Sequence, residues 1–126
     1  MARKILVIED NKSQVETIKD NLELNGYSVI IAGDGDEGYE KYQAEKPDLI
    51  ILDVMLPKLD GYSVARRIRS QEVSLAHVPI IMLTGRTSQI DGENGFSAGA
   101  DVYLKKPFDP GRLVKLIKKC LEEETS

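Results

Sequence analysis

Residues 48–53 read Asp48-Leu-Ile-Ile-Leu-Asp53, an unbroken apolar run enclosed by two carboxylates. A short run of large aliphatic residues without alternation is typical of a strand buried on both faces, as in a parallel sheet. Pro47 precedes the run and ends the helix before it, and a loop over 56–61 with Pro57 and Gly61 follows it. The sequence therefore predicts a central strand with Asp53 at its carboxyl end.

The same pattern recurs on both sides of this run. Apolar runs predict four further strands, over 4–9, 27–32, 78–83 and 101–104. Helical spacing between them predicts a helix that begins near Asn11 or Ser13 and stops at Gly26, one that begins at Asp34 or Asp36, one over 62–70 and one over 109–124. Alternating strands and helices indicate an α/β fold with a parallel sheet, helices on both faces and right-handed crossovers.

A further helix over 87–99 is predicted only weakly. Gly92, Gly95 and Gly99 fall within it, and each glycine inside a helix costs about 1 kcal/mol relative to alanine. We expect this segment to be short, irregular or mobile before any activation.

Composition narrows the class of protein. The 126 residues fit one domain, and a single cysteine, Cys120, excludes internal disulfides and cysteine-rich zinc sites. The net charge of −4 argues against binding of nucleic acid through bulk positive charge. No apolar run is long enough to span a bilayer and no signal segment is visible, so a cytoplasmic protein is expected.

Polar side chains follow several of the predicted strands. Glu9-Asp10 ends the first strand, Asp53 the third, Thr84 the fourth and Lys105-Lys106 the fifth. Ligands of open parallel sheets bind outside these carboxyl ends. Clustered carboxylates repel one another, which raises their proton affinity unless a cation is present, and oxygen ligands suit Mg²⁺. A lysine, a threonine and a nucleophilic carboxylate beside such a cation fit phosphoryl transfer.

The chain resembles the receiver domain of response regulators, the phosphoacceptor of two-component signalling. The matching stretches are Ile5-Leu-Val-Ile-Glu-Asp10, Pro47-Asp-Leu-Ile-Ile-Leu-Asp-Val-Met-Leu-Pro57 with Asp60-Gly61, Pro79-Ile-Ile-Met-Leu-Thr-Gly85 and Gly99-Ala-Asp-Val-Tyr-Leu-Lys-Lys-Pro-Phe108. The resemblance implies a flavodoxin-like, doubly wound (βα)5 fold whose five parallel strands lie in the order 2-1-3-4-5. It implies a receiver domain over 1–122, with 123–126 as a tail or the stub of a linker.

The resemblance also implies a metal-dependent phosphorylation site. Asp53 matches the phosphoacceptor of the family. Glu9 and Asp10 match the acid pair that positions Mg²⁺, together with Asp53 and the backbone carbonyl of Met55. Glu9 stands where Asp is common in the family, and metal binding is expected to survive that change.

Three further matches concern the lysine of the family's site and the two residues that respond to phosphorylation in the family. Lys106, rather than Lys105, takes the family lysine position, because it stands directly before Pro107 and a cis peptide bond is expected there. Thr84 would bind the phosphoryl oxygen, and Tyr103 matches the aromatic residue coupled to it. Phosphorylation would draw Thr84 inward, let Tyr103 fill the vacated space and change the surface formed by 87–99, the fifth strand and the closing helix.

Two positions depart from the common pattern. Met55 and Arg86 lie two residues after Asp53 and Thr84, where side chains of the family gate the attacking water. We hypothesise that they set the lifetime of the aspartyl phosphate.

The function implied is a phosphorylation-dependent signalling switch that catalyses its own phosphorylation and dephosphorylation and is no turnover enzyme on small metabolites. Its donor would be a sensor histidine kinase or a histidine phosphotransfer protein. Its output would be stand-alone binding of a downstream protein, or control of an effector domain missing from this chain, with phosphorylation-dependent dimerisation a further outcome. Neither direct nucleic-acid binding nor a membrane is expected.

Three alternatives remain open. A Mg²⁺-dependent aspartyl-phosphate phosphatase needs a second Asp two residues after the nucleophile, where this chain has Met55. A flavin-binding module needs a Gly-, Ser- or Thr-rich phosphate loop after the first strand, where this chain has acidic Glu9-Asp10-Asn11. A degenerate receiver that acts only through binding is disfavoured because every site residue of the family is present.

Overall fold

The computed structural model describes residues 2–56, 59–72, 77–85 and 99–121. Over these residues, strands and helices follow one another as β1 (Lys4–Ile8), α1 (Lys12–Leu24), β2 (Ser28–Ala32), α2 (Gly35–Glu45), β3 (Leu49–Asp53), α3 (Gly61–Gln71), β4 (Ile80–Thr84), β5 (Val102–Lys105) and α4 (Pro110–Cys120). Residues 87–98 of the weakly predicted helix, and the tail over 122–126, lie outside the described residues.

The five strands form one parallel sheet in the order β2-β1-β3-β4-β5, which confirms the predicted fold class. The register aligns the carboxyl ends of the strands, since Ile8 pairs with Leu52 and Asp53 with Leu83. The acids that follow β1 and end β3 therefore share one edge of the sheet. Among the described strands, β5 lies at the edge of the sheet and pairs with β4 alone.

Each face of the sheet buries its own apolar cluster, as expected for strands covered on both sides. Alternate residues of β1 and β3 go to opposite faces: Leu6 and Ile50 face α2 and α3, while Ile5 and Ile51 face α1 and α4. The α2–α3 face is completed by Tyr39, Val64, Ala65 and Ile68. The α1–α4 face is completed by Ile18, Leu22, Leu113, Val114 and Ile117.

Side chains cap the first turns of the helices. Asn11 accepts the amide of Gln14 at 2.9 Å at the start of α1, and Asp34 accepts that of Glu37 at 2.8 Å at the start of α2. The sequence left Ser13 and Asp36 as rival caps, and the structure selects the earlier residue in both helices. Among the described helices, none is long and apolar enough to cross a membrane.

Candidate functional site

Three carboxylates meet at the carboxyl edge of the sheet. Glu9 and Asp10 follow β1, Asp53 ends β3, and one oxygen from each lies within 4.8 Å of the others. Glu9 is 1% exposed and Asp53 3%, whereas Asp10 faces solvent. The cluster is therefore two buried acids with an open side at Asp10.

Backbone amides hold the Glu9 carboxylate in place. Its Oε2 accepts the amides of Asp10 at 3.0 Å and Asn11 at 3.2 Å. Burial, followed by the neighbouring Asp53, raises the pKa of Glu9 to about 7, against the lowering effect of the Asn11 amide and of Lys106. The raised proton affinity expected of clustered acids is confirmed at Glu9, although burial contributes more to it than repulsion does.

Lys106 supplies positive charge to this cluster. Its Nζ lies 3.1 Å from Oε1 of Glu9 and 3.1 Å from Oδ2 of Asp53, while Lys105 is exposed. Burial alone would lower the pKa of the Lys106 ammonium, but the ion pairs with both carboxylates outweigh burial and raise it. Lys106 is therefore a fixed cation that links the residue after β5 to β1 and β3.

The loop after β3 closes tightly around Asp53. Oδ1 of Asp53 accepts the Met55 amide at 3.1 Å, and the Gly61 amide donates to the Val54 carbonyl at 3.0 Å. A Cβ at Gly61 would lie 2.4 Å from the Asp53 carbonyl oxygen, so only glycine permits this approach of α3 to the loop. The Asp60-Gly61 pair thus joins a helix cap to a close backbone contact beside the site.

Thr84 ends β4, and Tyr103 lies on the neighbouring strand β5. Thr84 is buried, at 8% exposure, and its carbonyl accepts the Lys106 amide at 2.7 Å. Tyr103 pairs in register with Met82 and packs, half-buried, against the α2–α3 core. Thr84 therefore contacts the backbone of Lys106, whereas Tyr103 lies on the face of the sheet that packs on α2 and α3.

The structure thus brings Glu9, Asp10 and Asp53 within 4.8 Å of one another and places Lys106 in contact with Glu9 and Asp53. The Lys106–Pro107 peptide bond is cis, as the resemblance implied. Arg86 lies outside the described residues, and Met55 is 75% exposed beside Asp53. The hydrogen bond from the Met55 amide to Asp53 Oδ1 is a contact that sequence reasoning missed, because its donor is a backbone group placed by the turn of the loop and not by the side chain of residue 55.

The donor set fits a hard divalent cation. Carboxylate oxygens from Glu9, Asp10 and Asp53 are ligands that Mg²⁺ prefers, and the exposed side at Asp10 leaves room for water or phosphate oxygens. Lys106 balances only part of the negative charge of the three acids. The chemistry of these residues therefore accommodates Mg²⁺.

Comparison with known proteins agrees with this geometry. Residues 5–118 match the family model of the response regulator receiver domain. The chain is 46% identical over 121 residues to the alkaline phosphatase synthesis transcriptional regulatory protein PhoP of Bacillus subtilis, a match that covers 96% of the chain. The chain spans about half (49%) of the length of that relative.

Two solved structures are similar over nearly the whole chain. A response regulator from Chloroflexus aurantiacus shares 35% identity with a TM-score of 0.90, over 98% of this chain and 100% of its own. The receiver domain of a sensor histidine kinase from Pseudomonas aeruginosa shares 36% identity with a TM-score of 0.88, over the same shares of the two chains. That second structure holds a magnesium ion in its active-site cleft.

Proposed function

The chain belongs to the response regulator receiver domains, the signalling domains of two-component systems, and we propose that it switches by accepting a phosphoryl group on Asp53 from a phosphohistidine donor. The observation that carries this proposal is the ion pair between the buried Asp53 carboxylate and Lys106. Asp53 Oδ2 lies 3.1 Å from Lys106 Nζ, inside a cluster of acids. The donor would be a sensor histidine kinase or a histidine phosphotransfer protein.

The transfer is a displacement at phosphorus. An oxygen of Asp53 forms the new O–P bond, the P–N bond of the donor breaks, and the imidazole nitrogen keeps the electron pair. Lys106 donates to the incoming phosphoryl oxygens and offsets their charge, which its present contact with Asp53 positions it to do. The Met55 amide keeps the other Asp53 oxygen oriented.

Glu9, Asp10 and Asp53 would hold Mg²⁺, with the backbone carbonyl of Met55 as a further ligand. When bound, the ion neutralises negative charge shared between the carboxylates and the phosphoryl group. The magnesium ion in the Pseudomonas aeruginosa receiver domain supports this assignment.

Thr84 and Tyr103 would report the phosphoryl group. The Thr84 hydroxyl binds a phosphoryl oxygen, and the half-buried Tyr103 ring follows into the space it leaves. The surface that changes includes β5 and α4, and the readout is altered affinity for a partner, which is typically worth about 1–3 kcal/mol.

The output is binding of a downstream protein or control of an effector domain. The name of the Bacillus subtilis relative, a transcriptional regulatory protein about twice as long as this chain, supports the effector reading. Phosphorylation-dependent dimerisation through the changed surface is a further consequence of the same switch. The chain catalyses its own phosphorylation and dephosphorylation at this single site.

The lifetime of the aspartyl phosphate would depend on Met55 and Arg86. Met55 is 75% exposed next to Asp53 and can cover the approach of water to the phosphoryl group. Changing Met55→Asn together with Arg86→Glu should alter the dephosphorylation rate, measured by loss of the phosphoryl adduct with time. An unchanged rate would remove both residues from this role.

Intact mass after incubation with acetyl phosphate and Mg²⁺ tests the proposal. We expect one phosphoryl group on the wild-type chain, none on Asp53→Asn and none when EDTA replaces Mg²⁺. Asp20→Asn, an exposed carboxylate on α1, serves as the matched control and should be phosphorylated like the wild type. An adduct that persists in Asp53→Asn would show that the proposal is wrong. If the wild type shows no adduct, beryllofluoride with Mg²⁺ is tested next, and failure to bind it would also show that the proposal is wrong.

A further inference from the structure

Arg69, in the last turn of α3, contacts the segments that lead into β4 and β5. These contacts lie at the edge of the sheet opposite the acid cluster. The Nε of Arg69 donates to the Gly99 carbonyl at 2.9 Å, and one terminal nitrogen donates to Oδ2 of Asp101 at 2.7 Å. The other terminal nitrogen donates to the Glu72 carboxylate at 2.9 and 3.1 Å and to the Val78 carbonyl at 2.6 Å. The side chain is 16% exposed, so these are largely shielded, charge-assisted bonds.

The partners of Arg69 are the residues that lead into β4 and β5. The same Oδ2 of Asp101 accepts the Ile80 amide at 2.8 Å, and the Asp101 amide donates to the Ile80 carbonyl at 2.9 Å. Asp101, the residue before β5, is therefore hydrogen-bonded to Ile80, the first residue of β4. Arg69 links Asp101 to α3. His77 also contacts Asp101, 2.8 Å from Oδ1, but it is exposed.

Gly99 is matched to the arginine. It has a φ of +99°, which favours glycine, and a Cβ there would lie 2.7 Å from Cγ of Arg69. The turn before β5 is thus shaped so that the Arg69 stem passes directly over it. A flexible surface arginine would need no such accommodation.

β5 requires an anchor of this kind because it has four residues and, within the part of the chain that the structure describes, forms a ladder with β4 alone. Tyr103 is the second residue of this strand, and the strand ends at Lys105, directly before Lys106. We propose that Arg69 is a positioning residue, which fixes the start of β5 so that phosphorylation moves Tyr103 instead of displacing the whole strand. The role in switching rests on the proposed function, while the anchoring itself does not.

Amide hydrogen exchange tests the anchoring. In Arg69→Met, amides of Val102–Lys105 should exchange about tenfold faster or more, since several charge-assisted bonds are lost, while β1 amides change much less. Equal acceleration in β1 and β5 would mean general destabilisation and would overturn the proposal, as would unchanged exchange in β5. Arg66→Met, an exposed arginine on the same helix, is the matched control and should leave both strands unchanged.

The second readout is the response to phosphorylation. At equal phosphoryl occupancy, confirmed by intact mass, the shift of the Tyr103 ring resonances should be large in the wild type and in Arg66→Met, and smaller in Arg69→Met. Arg69→Lys keeps the positive charge but lacks the planar set of N–H donors of the guanidinium. This variant should not restore the full shift of the Tyr103 resonances. A full Tyr103 shift in Arg69→Met overturns the switching role. A wild type that takes no phosphoryl group contradicts the proposed function instead, and amide exchange still decides the anchoring.

Discussion

At the scale of single residues, the site depends on the balance between the positive charge of one lysine and the negative charge of three acids. Lys106 touches Glu9 and Asp53, so each buried carboxylate has a partner and neither is an isolated buried charge. The excess acid leaves Glu9 with a pKa near 7, because burial and Asp53 oppose its ionisation. Below about pH 7, Glu9 of the metal-free protein therefore tends to carry a proton at the place where a cation would bind.

The first prediction concerns pH in metal-free protein. The pKa of Glu9 rises from 4.5 to about 7 on folding, so between these values the folded chain binds a proton that the unfolded chain has released. The contribution of Glu9 to the free energy of unfolding is full below pH 4.5 and falls as the pH rises through 7. In Glu9→Gln this part of the pH dependence should disappear, measured by urea unfolding from pH 4.5 to 8 in EDTA.

The exposed Glu16→Gln on α1 should retain the wild-type slope. Parallel pH profiles for the wild type and Glu9→Gln would contradict the assignment of the titrating group.

A second prediction at this scale concerns Gly61. Gly61→Ala places a methyl group 2.4 Å from the Asp53 carbonyl oxygen, so the backbone at the end of β3 must shift. We expect the variant to lose about 1–3 kcal/mol of unfolding free energy, the usual cost of overpacking, and to be phosphorylated more slowly by acetyl phosphate. Gly33→Ala, where the nearest atom is 3.7 Å away, is the control and should change neither quantity appreciably.

At the scale of elements, α1 shows where a periodic pattern stops being reliable. Roughly helical spacing in the sequence predicts an apolar stripe of Val15, Ile18 and Leu22, with Leu24 as its least regular candidate member. Ile18 and Leu22 are buried, but Leu24 is 85% exposed in the last turn. Leu24 lies two residues after Leu22, which at 3.6 residues per turn turns its side chain to the opposite face of α1, away from the sheet.

This difference gives a third prediction. Leu22→Ala should cost about 2–5 kcal/mol of unfolding free energy, because it removes a fully buried side chain from the α1–α4 core. Leu24→Ala, two residues later, should stay within about 0.5 kcal/mol of the wild type. Chemical denaturation of the two variants side by side measures both, and similar losses would place Leu24 in the core.

At the scale of the whole molecule, metal binding should report on the assembled edge of the sheet. A cation that binds only the folded chain stabilises it by about 2.7 kcal/mol at a concentration one hundred times its dissociation constant. Mg²⁺ should therefore raise the melting temperature of the wild type and of the Asp20→Asn control. Asp10→Asn, which removes one exposed acid of the cluster, should show a smaller rise, and an equal rise would exclude Asp10 as a ligand.

The sequence predicted the sheet because its strands are continuous apolar runs, and it predicted the acid cluster because those runs end in carboxylates. The strand order and the choice of Lys106 came from the family resemblance, since no local pattern connects Lys106 with Glu9 across 97 residues of chain. The Arg69 network escaped prediction for the same reason. Arginine near a helix end is usually solvated, and its partner Asp101 lies 32 residues away.

The ion pairs of Lys106 have a consequence for the order in which the residues of the site come together during folding. Asp53 can occupy its strand once β1 and β3 pair, but its cation comes from a residue that follows β5, near the end of the described chain. Contacts of such long sequence separation form only after the intervening loops are closed, which is the slow part of assembling a parallel sheet. During synthesis, the acids that follow β1 and end β3 would therefore emerge well before the lysine that pairs with them.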